Sequence, residues 1–422
     1  MRERIITKVP IRAVTKGPKH HFFGYYDKCP WDATGRYLLA MEVDFQDRLP
    51  GPDDVAIIGV VDLENGCRFE PIAETRAWNF QQGAMAQWMP PNFERYIIYN
   101  DREKDRVIAI IHDIETGQKV KCPMPVYAVS PDGRYALGIN FARLHRLRPG
   151  YGYAGLNDPW ADEPAPKKDG IYLLNIPKGS VEKNFSIAEI AHFQTPKGVV
   201  QGNHWIEHLS FSPDGKRFAF FHRFSLPGGG IYTRLLTSDL KGKKIYLLSE
   251  GMVSHYTWRN SYQILAWARI PRRINRLQAI RWLQPLFGWV RHLTRAHPSG
   301  WVRQNIIGDA YILFTDCSKE FKIIGKGVLT TDGHCSFSPS GDWLLTDTYP
   351  DNLGYRHLLV YHMSTGKCQE IARFYSPSEL SGPIRCDLHP RWNRTGTAIC
   401  VDSAHTGQRQ IYILTVEHII NQ

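Results

Sequence analysis

The sequence predicts an all-β fold, a seven-bladed β-propeller with a short helical insertion in blade five. Three observations predict it: a hairpin signal that recurs seven times, a further apolar run with its own turn in successive units, and no helical period over most of the 422 residues. The hairpins centre on Trp31–Arg36, Met89–Arg95, Ser130–Arg134, Ser212–Lys216, Trp258–Tyr262, Ser338–Asp342 and Trp392–Gly396. In a turn such as Ser212-Pro213-Asp214-Gly215, Pro presets φ, Ser and Asp bond the local backbone, and Gly accepts positive φ. The returning strands are aromatic and aliphatic, as in Arg217–Phe221, Tyr37–Ala40 and Trp343–Leu345. A third strand closed by another turn follows in Val60–Gly66, Ile111–Gly117 and Val360–Gly366.

Residues 1–422 read as one toroid, because a propeller absorbs this length without a single large core. The run from residue 5 to 11 is expected to pair onto 411 to 414, which closes the ring and hides an exposed edge. Blade five is interrupted at 270–304. There Leu277, Ile280, Leu283, Leu286, Phe287 and Val290 fall at helical spacing. The stretch Arg269–Arg303 carries eight arginines and no acidic residue, so of a net charge of +11 only +3 belongs to the rest of the chain. Two readings of this basic amphipathic insertion stay open: a helical pair packed on the flank with its arginines in solvent, or a helix lying on an anionic membrane surface. Nucleic acid is not expected as a partner, since the RNP, KH and zinc-finger patterns are absent.

No signal-peptide pattern and no apolar run of about 18 residues is present. The eight cysteines are scattered without a CxxC pair, which reads as free thiols in the cytoplasm, with membrane association through 270–304 as a variant.

In each unit the hairpin turn lies at one face of the toroid. Residues entering the first strand and leaving the second therefore share the opposite face, around the central channel. Those entering are His20 and His21, Gln81 and Gln82, His204 and His208, His255, His334, and Asp387 with His389. Those leaving are Glu42 and Asp44, Asp101 and Arg102, Asn140 and Arg143, His222 and Arg223, Arg269, Tyr349 and Asp351, and His405. More than half of the chain's 17 histidines are in this phase. A single one suits a structural role; recurrence at one phase points to a shared site. Imidazoles with a carboxylate suit a divalent metal, Mn or Zn, with His255, His334, Asp387 and His389 as candidate ligands. His222, Arg223 and Arg143 are then candidates for a general base and for cationic clamps on an anionic substrate.

Several of these segments resemble the propeller-type polysaccharide lyases, in particular the oligogalacturonate lyases and more distantly the ulvan lyases. They are Cys386–Trp392 with Asp402–Gly407 and Gln410–Tyr412, Ser254–Trp258, and Phe220–His222. The resemblance implies an enzyme that acts on a uronic-acid-containing oligo- or polysaccharide by metal- or Arg-assisted β-elimination. Carried over by position, it implies His222 as base with His208 as its alternative, Arg143 or Arg223 beside the developing charge, and Tyr349 or a water as donor to the leaving oxygen. The strand-end phase makes His20, His21, Arg102, Arg143, Arg269 and His405, with Tyr25, the candidates for substrate binding, and the resemblance implies that Tyr25, Tyr26, Tyr151 and Tyr153 stack on sugars. His389 stands in the family's ligand dipeptide His-Pro, whereas Asp387 replaces a family histidine, which changes one ligand type. The competing class is a non-catalytic propeller that binds a glycan or protein at the same mouth. A serine hydrolase is unsupported, because no Gly-x-Ser-x-Gly elbow is present.

Overall fold

The computed structural model describes residues 3–194, 202–226, 230–271 and 308–420. Backbone pairing joins its strands into seven sheets, six of four strands and one of five, which are the seven blades. The turn chemistry is the expected one. Ser212 N–H donates to the Arg217 carbonyl at 2.8 Å, its Oγ accepts from Arg217 N–H at 3.1 Å, and Gly215 N–H closes on Ser212 O at 2.8 Å. Gly215 sits at φ +67°, where a side chain would be strained. Ser130 and Ser338 repeat the arrangement through Tyr135 and Trp343.

Neighbouring blades bury their apolar faces against each other. Phe218 and Phe220 of blade four meet Phe185 of blade three, and Phe221 on the other face meets Tyr256 of blade five. Each such ring contributes roughly 1.5–3 kcal/mol of burial. Indoles of the inner strands stitch successive blades: Trp88 Nε1 donates to Pro30 O at 2.9 Å, Trp258 to Ser210 O and Trp392 to Ser336 O, both at 3.4 Å.

The amino-terminal run does not close the ring as one strand. Ile5–Thr7 adds to Cys368–Tyr375 as the fifth strand of blade six, and Ile11–Ala13 pairs with Gln410–Thr415 to complete blade seven, with Ile11 opposite Leu414. Pro10 divides the two, since it offers no backbone donor, and Val9 turns into the core shared by both blades. The expected blade-five insertion lies outside the described residues from 272 to 307, and the membrane-surface reading with it. Its frame is described: Gln263–Arg269 pairs with Asp309–Thr315 up to Arg269 opposite Asp309. Among the described residues no helix is long and apolar enough to cross a membrane.

The chain leaving the first inner strand, His20–Phe22, crosses the axis instead of following the blade. Tyr25 packs against His208 of blade four, His389 of blade seven and His334 at the start of blade six. Tyr26 Oη donates to the Tyr256 carbonyl of blade five at 2.9 Å. Each ring is 3% exposed. Together they form the floor of the channel.

Candidate functional site

Above this floor, loop and strand ends of blades four to seven converge. His208 and His389 both hold positive φ, at 53° and 41°. At His208 this coincides with a register break between Glu207 and Ser210, a bulge of the kind that re-aims a side chain. Such backbone is costly for a residue with a Cβ and persists where surrounding contacts over-determine it.

His334, Asp387 and His389 offer ligand atoms that all lie within 4.8 Å of one another, and all three side chains are buried. Nε2 of both histidines has no hydrogen-bond partner. His334 Nδ1 is held by Asp347 at 2.9 Å, which fixes the ring and leaves Nε2 free. A ligating histidine is ordinarily arranged in this way, with one nitrogen oriented by a carboxylate and the other at the metal. The residues therefore fit a divalent cation. His255, the fourth expected ligand, lies outside this group. Its ring packs 4.3 Å from that of His334, and its Nδ1 is bound by Asp332 at 2.9 Å.

Asp387 also lies between two guanidinium groups, Arg385 Nε at 2.6 Å and Arg356 Nη1 at 2.8 Å. Burial alone would raise its pKa, but these arginines overcome it and hold the carboxyl well below the usual range. Burial pushes His389 and His255 down, so both are neutral and able to ligate near pH 7.

On the other side of Tyr25 a second constellation stands. Tyr25 Oη is hydrogen-bonded to His208 Nε2, and His208 Nδ1 faces Glu207 Oε2 at 3.6 Å. Glu207 is fully buried between Arg148 and Arg223. Burial lowers His208 to about 3, and burial likewise raises Tyr25 well above its ordinary value. Against burial, Arg148 and Arg223 keep Glu207 ionised. Four arginines, 148, 223, 356 and 385, thus balance four carboxylates, Glu207, Asp332, Asp347 and Asp387. A divalent ion would make the mouth positive. Tyr349, 40% exposed, lies at the rim with its ring 6.2 Å from that of His334.

Other expected site residues stand elsewhere. His222 does not share the mouth with Arg223, because successive strand residues point to opposite faces. It stacks on His204, with its Nε2 2.9 Å from His204 Nδ1, beside Arg234 on the blade-three side. Arg143 uses all five donors on Asp158 and the carbonyls of Trp160, Glu163, Pro164 and His204, so it holds a loop together and has none left for a substrate. His21 bridges Glu42 and Gln410, Arg102 reaches Asp53 and Ala154 O, and Arg269 pairs with Asp309. His405 packs on Phe374 and Tyr412 between blades six and seven. His20 is half-buried at the start of its strand, opposite Val43. Among the described residues no hydrogen bond, ion pair or ring contact joins these side chains to the triad. Tyr153 is stacked on Phe141 and fully buried, and Tyr25 and Tyr26 pack into the floor, which takes these rings from the sugar-stacking role.

The His204–His222 pair makes a pH prediction. Burial, then Arg143 and Arg234, lower His204 to about 4, and His222 falls well below its ordinary 6.5. Between pH 6.5 and 4 the unfolded chain binds protons that the folded chain refuses. Stability present above 6.5 is therefore lost as pH falls, by about 3 kcal/mol for His204 alone. Denaturation midpoints across this range should slope less steeply in a His204→Phe/His222→Phe variant; an unchanged slope would contradict the assignment.

Sequence inspection missed Glu207, Arg148, Arg356, Arg385 and the floor-forming role of Tyr25. The adjacency Glu207-His208 and the spacing Arg385-x-Asp387 were the available signals.

No protein-family model matches the sequence, and no curated protein matches it. Solved structures do. An oligogalacturonate lyase from Vibrio parahaemolyticus superimposes with a TM-score of 0.62 at 12% identity, covering 98% of each chain. An oligogalacturonate lyase in complex with manganese gives 0.60 at 14% identity, covering 97% of this chain and 93% of that one. The chain shares the fold of these proteins over almost its whole length.

Proposed function

We propose that the protein is a lyase-like enzyme that cleaves a uronic-acid-containing oligo- or polysaccharide by β-elimination at the channel mouth. The observation that carries this reading is the buried triad His334, Asp387 and His389, with the partnerless Nε2 of both histidines and the carboxylate-anchored ring of His334. It stands on the axis of a fold shared with a manganese-complexed oligogalacturonate lyase. Elimination breaks C5–H and C4–O, forms a C4=C5 double bond and moves one proton to the leaving oxygen. When bound at the triad, a divalent ion, Mn or Zn, supplies positive charge where the uronate carboxylate gains negative charge.

The chain's own residues supply the rest. Tyr25 Oη accepts the C5 proton while its own passes to His208 Nε2, and Glu207, facing His208 Nδ1, stabilises the imidazolium that forms. Arg148 and Arg223 keep Glu207 ionised for that purpose. Tyr349 stays protonated, because desolvation and then the carboxylates of Asp332 and Asp387 raise it, and it donates to the leaving oxygen from the rim. Tyr25, acting through His208, thereby takes the role first expected of His222. The eight cysteines are all free thiols, which supports a cytoplasmic location.

One observation favours a second reading, a metal-free propeller that binds an acidic glycan or protein: Asp387 is already paired with two arginines. Elemental analysis of the purified protein separates the two. About one Mn or Zn per chain supports the enzyme; none, after exposure to both ions, supports the binding module.

A further inference from the structure

We propose that His357 is a positioning residue that acts through Tyr349: as an imidazolium it clamps the loop carrying this proton donor, and the clamp opens when the ring gives up a proton. The inference rests on the lyase reading above and names a way in which that site is regulated.

Tyr349 stands on the loop 348–354, between the strands Trp343–Asp347 and Tyr355–His362. His357 holds this loop on both sides of the tyrosine. Its backbone N–H donates to Thr348 Oγ1 at 3.0 Å, and its ring Nε2 lies 3.1 Å from Asp351 Oδ2. The other oxygen of Asp351 orders the loop itself, accepting from Leu353 N–H at 2.8 Å and from Tyr355 N–H at 2.9 Å. Among the described residues no other side chain bonds Asp351. The rest of the loop is open, with Tyr349 40% and Leu353 55% exposed.

The ring has a carboxylate at each nitrogen. Nδ1 lies 2.5 Å from Glu370 Oε2, and Arg373 Nε steadies the other oxygen of Glu370 at 2.7 Å. Neutral imidazole carries a single N–H, so only the imidazolium donates to both carboxylates. Against burial, the Tyr355 N–H and then His357 hold Asp351 below its ordinary value, and His357 with Arg373 does the same for Glu370. Both carboxylates therefore keep their charge while the ring titrates. The neighbouring charges are engaged elsewhere: Arg356 pairs with Asp387, Asp347 with His334, and the outer strand Ile5–Thr7 carries none. When one proton leaves the ring, the shorter bond, to Glu370, keeps the other. Asp351 is then released, and the Tyr349 loop with it.

The test is hydrogen exchange at the amides of Leu353, Gly354 and Tyr355, expressed as protection relative to a free peptide at each pH, in wild type, His357→Gln and His357→Arg. Unsaturated product is followed at the same pH values and metal loading. In wild type, protection should fall by about tenfold or more between about pH 5 and 8, where a histidine changes charge, which is the worth of one hydrogen bond to a charged group. The turnover number should fall with it while KM holds. His357→Gln, which cannot carry the charge, should be weakly protected at every pH. His357→Arg, charged throughout, should stay protected and lose less turnover as pH rises. Should the glutamine variant not fold, the arginine variant decides alone. Wild-type protection that ignores pH, a variant that keeps the wild-type pH response, or turnover that ignores the opening of the loop would overturn the inference. A loop that opens as described, in protein that forms no unsaturated product, would count against the lyase reading alone.

Discussion

Replacing His389 by alanine is expected to remove the divalent ion and to lower turnover of an acidic oligosaccharide by at least about 10²-fold, the size of effect seen when one group serving the developing charge is lost. The triad offers only three side chains, and the Nε2 of His389 has no other partner to satisfy it. Folding should survive, at a cost of roughly 0.5–3 kcal/mol. Asp347→Asn, which changes the group that holds the far nitrogen and the backbone N–H of His334, should weaken metal affinity by about 10–100-fold without removing a ligand. Metal content at fixed free ion concentration reads both. Full occupancy in His389→Ala would dissociate the triad from the metal.

His208→Ala is expected to lower turnover by about 10²–10⁴-fold while leaving the ion in place. Tyr25→Phe should do the same, since the hydroxyl and the imidazole act through one hydrogen bond. The pair should show the non-additivity of a single unit, the double variant falling little further than either single one. His222→Ala makes the contrast. Its ring stacks on His204 and lies on the opposite face of the strand from Arg223, so its loss should lower stability by roughly 0.5–3 kcal/mol and leave turnover near wild type. A His222→Ala protein that folds, holds metal and has lost turnover would return the base to that position.

The fold was legible because its signals are local. Ser212 and Gly215 make their turn with partners no more than five residues away, so the sequence window that encodes the turn also contains its bonds. Ring closure was legible in kind and not in register, since Pro10 splits the closing run between two blades. The shared face predicted for strand ends holds for His208, His255 and His334, which meet around Tyr25 and Tyr26. His222 does not join them, because a strand end fixes the face of the toroid but a one-residue step reverses the face of the blade; Arg143, on the helix Phe141–Leu147, and His405, in the turn after Ala398–Ser403, are held by other partners. The arginine–carboxylate partners were hidden for another reason. Arg148 and Glu207 are 59 residues apart, and nothing local to either marks the other.

The most direct test of the account is the ultraviolet absorbance of the unsaturated uronate formed from oligogalacturonate, followed in metal-loaded protein, after chelation, and after the ion is restored. The account predicts absorbance that rises with the loaded protein, stops on chelation, returns with Mn or Zn, and never develops with a carboxyl-reduced, neutral oligosaccharide. Metal-loaded protein that binds a panel of uronate oligosaccharides and forms no unsaturated product from any of them would contradict it.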